Sequence, residues 1–258
     1  AKRVQALAEL IWNGLDADAT RVDVRIESSE LGTTKIIVRD NGCGIPYGEA
    51  PKLFTRLGGS WKTSGGRTKT KSRMLHGYEG RGRFKVFALG RVADWQVTYR
   101  TDAGDLRGYG ITMLENNIRE VQITGEHDIT TGETGVEVDI TELHREYRSL
   151  NPDNAVQELA EAFALYLKDY RDVSIFYEGR HVDPNAVIVA TRRINLDEID
   201  DDGVAYPVEL EIIEWRNLTT RGLYLCTEQG FPLSKVATHF HIGEFHFSAY
   251  LKSPFITK

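Results

Sequence analysis

Cysteine is scarce in this chain. Only Cys43 and Cys226 occur among 258 residues, which excludes a disulfide framework and points to a reducing cytosolic setting, or a nuclear one in a eukaryote. Long hydrophobic runs are missing too. No stretch approaches the ~20 apolar residues needed to cross a bilayer, so no membrane role is expected, and no secretory leader pattern is visible. An excess of positive charge is also lacking. Thirty-two Lys and Arg stand against 38 Asp and Glu, a net charge of −6, which excludes a chain that coats nucleic acid over its whole surface and leaves only a local basic patch open. Internal repeats and low-complexity tracts are absent.

What remains is a 41% hydrophobic, 27% charged composition, that of a globular protein with one large domain or two ordinary ones. The pattern begins inside a helix at Ala1 and stops at Lys258 without a terminal feature, which reads as a piece of a longer protein. Strand-like alternation or β-branched enrichment marks residues 21–27, 33–39, 95–101, 106–114, 119–124, 135–140, 173–177, 204–215 and 222–227. Residues 83–89 read as the start of a helix. Residues 154–170 read as an amphipathic helix, with Val156, Leu159, Ala160, Phe163, Leu167 and Tyr170 on one face and Asp153 or Asn154 as cap. The acidic stretch 197–203 reads as a surface loop. A domain boundary is expected near Pro184, giving units 1–183 and 184–258.

Three motifs carry chemistry. Glu9, Asn13 and Asp16 stand at i, i+4 and i+7 of a helix whose other positions include Leu7, Leu10 and Ile11. That spacing places a general base one turn from an amide oxygen suited to a magnesium ion. The run Asp40-Asn41-Gly42-Cys43-Gly44 ends a strand. A buried carboxylate there accepts hydrogen bonds only and suits the exocyclic amine of adenine, whereas guanine offers a carbonyl. The same letters also spell a hairpin turn. Gly77, Gly80 and Gly82 precede the 83–89 helix start, where free N–H groups favour phosphate, although a plain flexible turn has the same composition. The spacing fits neither a Walker A loop nor a dinucleotide fingerprint. Between these motifs, residues 56–73 carry Arg56, Lys62, Arg67, Lys69, Lys71 and Arg73 and no acid. This stretch is either a lid for a triphosphate or a solvated basic loop that meets nucleic-acid phosphates. His239, His241 and His246 read as a half-buried strand face rather than a zinc site, since no further ligand completes the set.

Taken together, these residues resemble the GHKL ATPase superfamily, which includes DNA gyrase, the ninety-kilodalton heat-shock chaperone, histidine kinases, MutL and the MORC proteins. The resemblance implies an α/β sandwich (the Bergerat fold) followed by a smaller α/β transducer domain. It implies ATP and Mg²⁺ as cofactors, with Glu9 as catalytic base and Asn13 as metal ligand. ATP would be held by Asn13, Asp16, Asp40, Gly42, Gly44, Lys62, Gly77, Tyr78, Glu79, Gly80, Arg81, Gly82, Arg83, Phe84 and Thr134, the last in the departing order Glu133-Thr134-Gly135. Lys258, in a MORC-like run, would be the catalytic lysine that senses the γ-phosphate, with Lys235 and Lys252 as alternatives and a plain chain end as the bland reading. Slow hydrolysis coupled to ATP-dependent homodimerisation, with a nucleic acid or protein client, is the implied function. An ATP-switched binding module, a chaperone-like ATPase and a histidine kinase remain as alternatives. The last is disfavoured by Glu9 and by the second domain.

Overall fold

The computed structural model describes residues 2–30, 32–55, 68, 71, 73, 75, 82–144, 150–216, 222–230, 232–236 and 246–258. The chain divides into two compact units. One comprises Ala1–Leu159 with Asp172–Val182, the other Ala160–Arg171 with Asp183–Lys258.

The first unit begins with α1 (Lys2–Asp16) and the hairpin β1 (Arg21–Ser29) and β2 (Gly32–Asp40). A short α2 (Ala50–Thr55) follows, and later a 3-10 helix, Gly82–Ala88. Then come β3 (Gly90–Arg100), β4 (Leu106–Leu114), β5 (Gln122–Ile123), β6 (His127–Asp128) and β7 (Gly135–Leu143). After α3 (Pro152–Asp169), β8 (Ser174–Tyr177) and β9 (Arg180–His181) complete a nine-stranded mixed sheet of order β5-β4-β3-β7-β2-β1-β8-β9, with β6 beside β4. The period-2 alternation sends Val22, Val24, Ile36, Val38, Trp95, Val97, Val136 and Val138 into the core, all of them buried. Their neighbours Arg39, Gln96 and Glu137 lie on the opposite, wet face. α1 is apolar almost all round, with Leu7, Ile11, Trp12 and Leu15 buried, as expected of a helix laid deep against a sheet.

Three expectations need correction. Residues 83–89 begin no α-helix; the segment is 3-10 throughout. The helix α3 starts at Pro152, not after it. Asn151 caps it, its Oδ1 accepting from the Asp153 N–H at 3.0 Å, and Pro152 takes the first-turn position where a missing N–H costs nothing. The strand expected at 119–124 is reduced to two residues.

The second unit is a five-stranded sheet, order β10-β11-β14-β12-β13. Its strands are β10 (Ile188–Asp201), β11 (Val204–Trp215), β12 (Gly222–Cys226), β13 (Pro232–Val236) and β14 (Phe247–Lys252). Ala164 of α3 packs with Ile213, Trp215, Cys226 and Tyr250 as its core. Here the acidic stretch 197–203 is no loop. Residues 197–201 continue β10, and only Asp202 and Gly203 turn, both at positive φ (53° and 78°), the Asp-Gly signature of a tight hairpin. Charge masked the strand because β10 is exposed along most of its length, and no in–out alternation survives in its sequence.

Glu211 sits fully buried at the middle of β11 and is ringed by cations. Lys168 of α3 lies 2.5 Å from it, Lys252 of β14 2.7 Å and Arg193 of β10 3.2 Å. Burial alone would raise its pKa, but the hydrogen bonds and charges of Lys168 and Lys252 win and hold the carboxyl down at about 2. A depressed carboxyl contributes stability that is present above its unfolded value near 4.5 and lost as pH falls toward 2. Glu211→Gln should therefore flatten the acid limb of the stability curve between those pH values. Glu211→Ala, which takes from the buried Lys252 its shorter ion pair and leaves it Glu209 alone, should cost about 3 kcal/mol in a denaturant titration at neutral pH.

Candidate active site

α1 places its few polar side chains along one stripe. Glu9 and Asn13 are half-buried and Asp16 is buried, one turn apart, while the apolar residues of the helix from Val4 to Leu15 are locked in the core. The stripe has a fixed position because the helix end is pinned. Asn41, just after β2, accepts from the N–H groups of Thr20 and Arg21 at 2.9 Å each through Oδ1, and its Nδ2 donates to the Thr20 hydroxyl at 3.0 Å. The Cys43 N–H donates to the Ala17 carbonyl at 2.8 Å. The second motif is thereby stitched to the loop that leaves the first.

Asp40 closes β2 beneath α1. Gly14, one residue past Asn13, is the point of contact: a Cβ there would lie 2.8 Å from Asp40 Cβ and 3.1 Å from its Oδ2. A Cβ at Gly42 would likewise lie 2.6 Å from the Ala17 carbonyl oxygen, and one at Gly135 would lie 2.1 Å from the Asp40 carbonyl oxygen. Gly44, at φ +70°, passes so close to β3 that a Cβ there would lie 2.2 Å from the Thr98 carbonyl oxygen, so no side chain fits. The loop beyond is anchored by the Tyr109 hydroxyl, which donates to the Ile45 carbonyl at 2.9 Å. These requirements overrule the reading of Asp40-Asn41-Gly42 as a hairpin turn, since the chain after β2 does not double back on it.

The Asp40 carboxylate accepts from the Gly42 N–H at 2.8 Å and from the Val136 N–H. These neutral donors lower its pKa less than burial raises it, and the carboxyl is pushed up to about 6. Thr134 is half-buried just before β7, next to this strand end. Gly82, Arg83 and Phe84 open the 3-10 helix that packs on α1. The Arg83 guanidinium lies over the Phe84 ring at 4.7 Å and the Phe54 ring at 5.8 Å, and burial lowers its pKa. Lys62, Gly77, Tyr78, Glu79, Gly80 and Arg81 lie outside the described residues, as do His239 and His241.

The basic segment before the third motif is corrected at its C-terminal end. Arg73 is buried, with 2% of its side chain exposed, and is not a phosphate ligand of a lid. Its Nη1 donates to the Ala19 carbonyl at 2.7 Å and its Nη2 to Asp172 at 2.7 Å, while Lys71 reaches the same carboxylate at 3.0 Å. Burial works against the Asp172 charge, but the bond from Lys71 and the two cations keep the carboxyl below its usual range. Asp172 was invisible as a partner because it lies 99 residues from Arg73. Gly14 and Val136 were missed too, since a close approach and a backbone N–H leave no mark on side-chain chemistry. A cavity of about 270 Å³ reaches Asp40 and Thr134 from the wet face of the sheet, past Arg39, Gln96 and Glu137, on the side opposite α1.

Asp40 carries a stability cost. Its folded pKa exceeds the unfolded 3.8, so ionisation disfavours the folded state increasingly as pH rises from 3.8 through about 6, and fully above it. Asp40→Asn, which keeps the shape and cannot ionise, should unfold at higher temperature than the parent at pH 8, by up to ~3 kcal/mol, and show no such gain at pH 4. A thermal melt at both pH values checks the crossover.

Comparison with known proteins agrees with this geometry. The family model described as "Histidine kinase-, DNA gyrase B-, and HSP90-like ATPase" matches residues 2–143. Among curated proteins, a DNA mismatch repair protein MutL from Erwinia tasmaniensis is 35% identical over 95 residues, covering 37% of this chain and 14% of that protein. The human PMS1 protein homolog 1 is 52% identical over 50 residues, 19% of this chain and 5% of its own length. The match thus spans only a small part of these relatives. Among solved structures, the Aquifex aeolicus MutL ATPase domain complexed with ADP superimposes with a TM-score of 0.50 at 16% identity, covering 96% of this chain and 90% of that one. The ATPase region of Saccharomyces cerevisiae topoisomerase II bound to ICRF-187 gives 0.54 at 12% identity, covering 96% and 72%. With its nine-stranded sheet backed by α1 and its first two motifs joined at Gly14 and Asp40, the chain belongs to the histidine kinase-, DNA gyrase B- and HSP90-like ATPase family.

Proposed function

We propose that this chain binds ATP with Mg²⁺ and hydrolyses it slowly, and that ATP gates the pairing of two copies. The observation that carries this reading is the Asp40 carboxylate. It is held under α1 by neutral N–H donors, with its pKa near 6, so at neutral pH it is an ionised acceptor fit for an amine such as that of adenine. One residue from the Gly14 contact, Asn13 offers an amide oxygen to a hard cation. One turn further, Glu9 is the base that takes the proton of the attacking water. Bound Mg²⁺ would neutralise phosphate charge, and the N–H groups opening the Gly82–Ala88 segment would add to that. Asp16 and Thr134 would shape the purine end of the pocket beside Asp40. On this reading the second unit acts as a transducer. Lys258 senses the γ-phosphate, its ammonium resting against Asp201 and 5.7 Å from the Tyr206 ring until ATP draws it away. Lys252 is the weaker alternative, because it is buried and ion-paired with Glu209 and Glu211. The similarity to proteins named for DNA mismatch repair favours DNA-associated work as the setting.

Glu9→Ala should retain ATP binding by calorimetry while phosphate release falls ~10²–10⁴-fold. Asn13→Ala should weaken binding only when Mg²⁺ is present. Wild-type affinity for ATP should drop up to about tenfold per pH unit below 6, as protonation of Asp40 removes the anionic acceptor. A flat profile from pH 7 to 5 would rule out the adenine role.

Lys258→Ala should slow ATP turnover and leave ADP affinity unchanged, since only a differential contact shifts a conformational equilibrium. Lys252→Ala should instead lower the stability of the second unit. Equal turnover in Lys258→Ala and wild type would move the sensor elsewhere.

A further inference from the structure

β10 is the edge strand of the second sheet, and among the described residues only β11 pairs with it. It is fourteen residues long. Residues 191–198 are exposed without interruption, and the apolar Ile194 and Leu196 are each 43% accessible. A long edge with bare aliphatic side chains and one open row of backbone N–H and C=O groups is a template for another strand.

The order of charges says which strand. Arg192-Arg193-Ile194-Asn195-Leu196-Asp197-Glu198 has two cations, an aliphatic, a central amide, an aliphatic and two anions. The sequence is antisymmetric in charge about Asn195. Laid antiparallel on a second copy with Asn195 opposite Asn195, Arg192 faces Glu198, Arg193 faces Asp197, and Ile194 faces Leu196. The two-fold axis repeats each pair. Parallel self-pairing in register would set like charge on like charge, which destabilises a ladder. We propose that β10 pairs antiparallel with β10 of a second copy of this chain about a two-fold axis at Asn195, joining two five-stranded sheets into one without nucleotide. This contact is separate from ATP-gated pairing and stands whether or not that reading holds.

The bulge in β10 agrees with such selectivity. Between Leu196 and Ile199 the register against β11 shifts, so Asp197 and Glu198 sit on a swollen part of the edge. Bulges and edge charges both discourage indiscriminate strand addition. Here they admit a strand of the opposite charge order, and an inverted copy of β10 has that order. Arg193 is also ion-paired with Glu211 inside its own unit, so Arg192 and Glu198, both exposed, are the clean pair to probe.

Sedimentation equilibrium of the nucleotide-free chain should show a reversible monomer–dimer equilibrium that weakens as salt rises. Arg192→Glu and Glu198→Arg should each weaken the dimer at least tenfold, with circular dichroism unchanged. The double variant Arg192→Glu/Glu198→Arg should restore it, and mixing the two single variants should yield a heterodimer that neither forms alone. In a Cys43→Ser background, Asn195→Cys should oxidise to a linked dimer, because directly opposed residues of antiparallel strands lie within disulfide reach. Thr191→Cys, opposite residue 199, should not. A chain that stays monomeric at every concentration overturns the proposal. So does a dimer indifferent to both charge reversals, or one weakened by each and not restored by the swap.

Discussion

The first unit depends on one crossing, where α1 runs over the end of β2 with nothing but Gly14 between them. Any side chain at Gly14 would drive into Asp40, whose Cβ lies 2.8 Å from the position a Cβ would take. The crossing sets the depth of α1 on the sheet, and hence where the Glu9, Asn13 and Asp16 stripe emerges from an otherwise buried helix. It is backed by contacts that make no chemical contribution of their own. Asn41 fastens the loop after α1, Arg73 caps the Ala19 carbonyl, and Gly42 lets the Ala17 carbonyl close down on the turn. A polar stripe is useful only if its reach is fixed to a few tenths of an ångström, and a rigid two-element crossing supplies that better than a loop does.

Two shifted carboxyls show how this chain separates chemistry from architecture. Glu211 and Asp40 are both dehydrated, and dehydration pushes each pKa upward. Around Glu211, Lys168 and Lys252 outweigh that push and drive it to about 2, so its charge is spent within the fold. Among the described residues Asp40 is met by N–H dipoles, dehydration wins, and the value settles near 6. An anion left without a counter-cation is a liability for stability. It is worth keeping only where an incoming donor supplies what the fold withholds. The same contrast sorts the basic residues. Arg73 and Lys71 looked like phosphate ligands by composition, but they are committed to Asp172.

Much of this was legible because the chemistry is local. A helical stripe at i, i+4 and i+7, and a carboxylate at a strand end before two glycines, are patterns within a dozen residues, and periodicity placed the major strands of the first sheet within a few residues. What could not be read is what depends on distant or silent groups. The Arg73–Asp172 pair spans 99 residues. Gly14 was one letter among apolar helix positions, and its value appears only once Asp40 stands beneath it. The cap of α3 lies at Asn151, two to three residues before the expected Asp153 or Asn154, because Pro152 is the first residue of the helix and not a boundary before it.

The misreading of residues 197–203 has a physical cause that bears on β10 itself. Sequence patterns reveal strands through burial: one face apolar, the other wet. A strand at the edge of a sheet with both faces open has no such contrast to impose, and its composition is free to answer to something else. In β10 the charges are not scattered as solvation alone would allow. Cations gather before Asn195 and anions after it, with Ile194 and Leu196 symmetric about the centre. The Asp202-Gly203 turn fixes the strand's far end, and nine positions from Thr191 to Asp201 paired with β11 keep it extended even though few of its side chains are buried. A strand held extended by its neighbour, unburied, and charged in an order complementary to its own reverse satisfies the requirements for recognising another copy of itself. The same features that hid it as a strand are those that equip it as an interface.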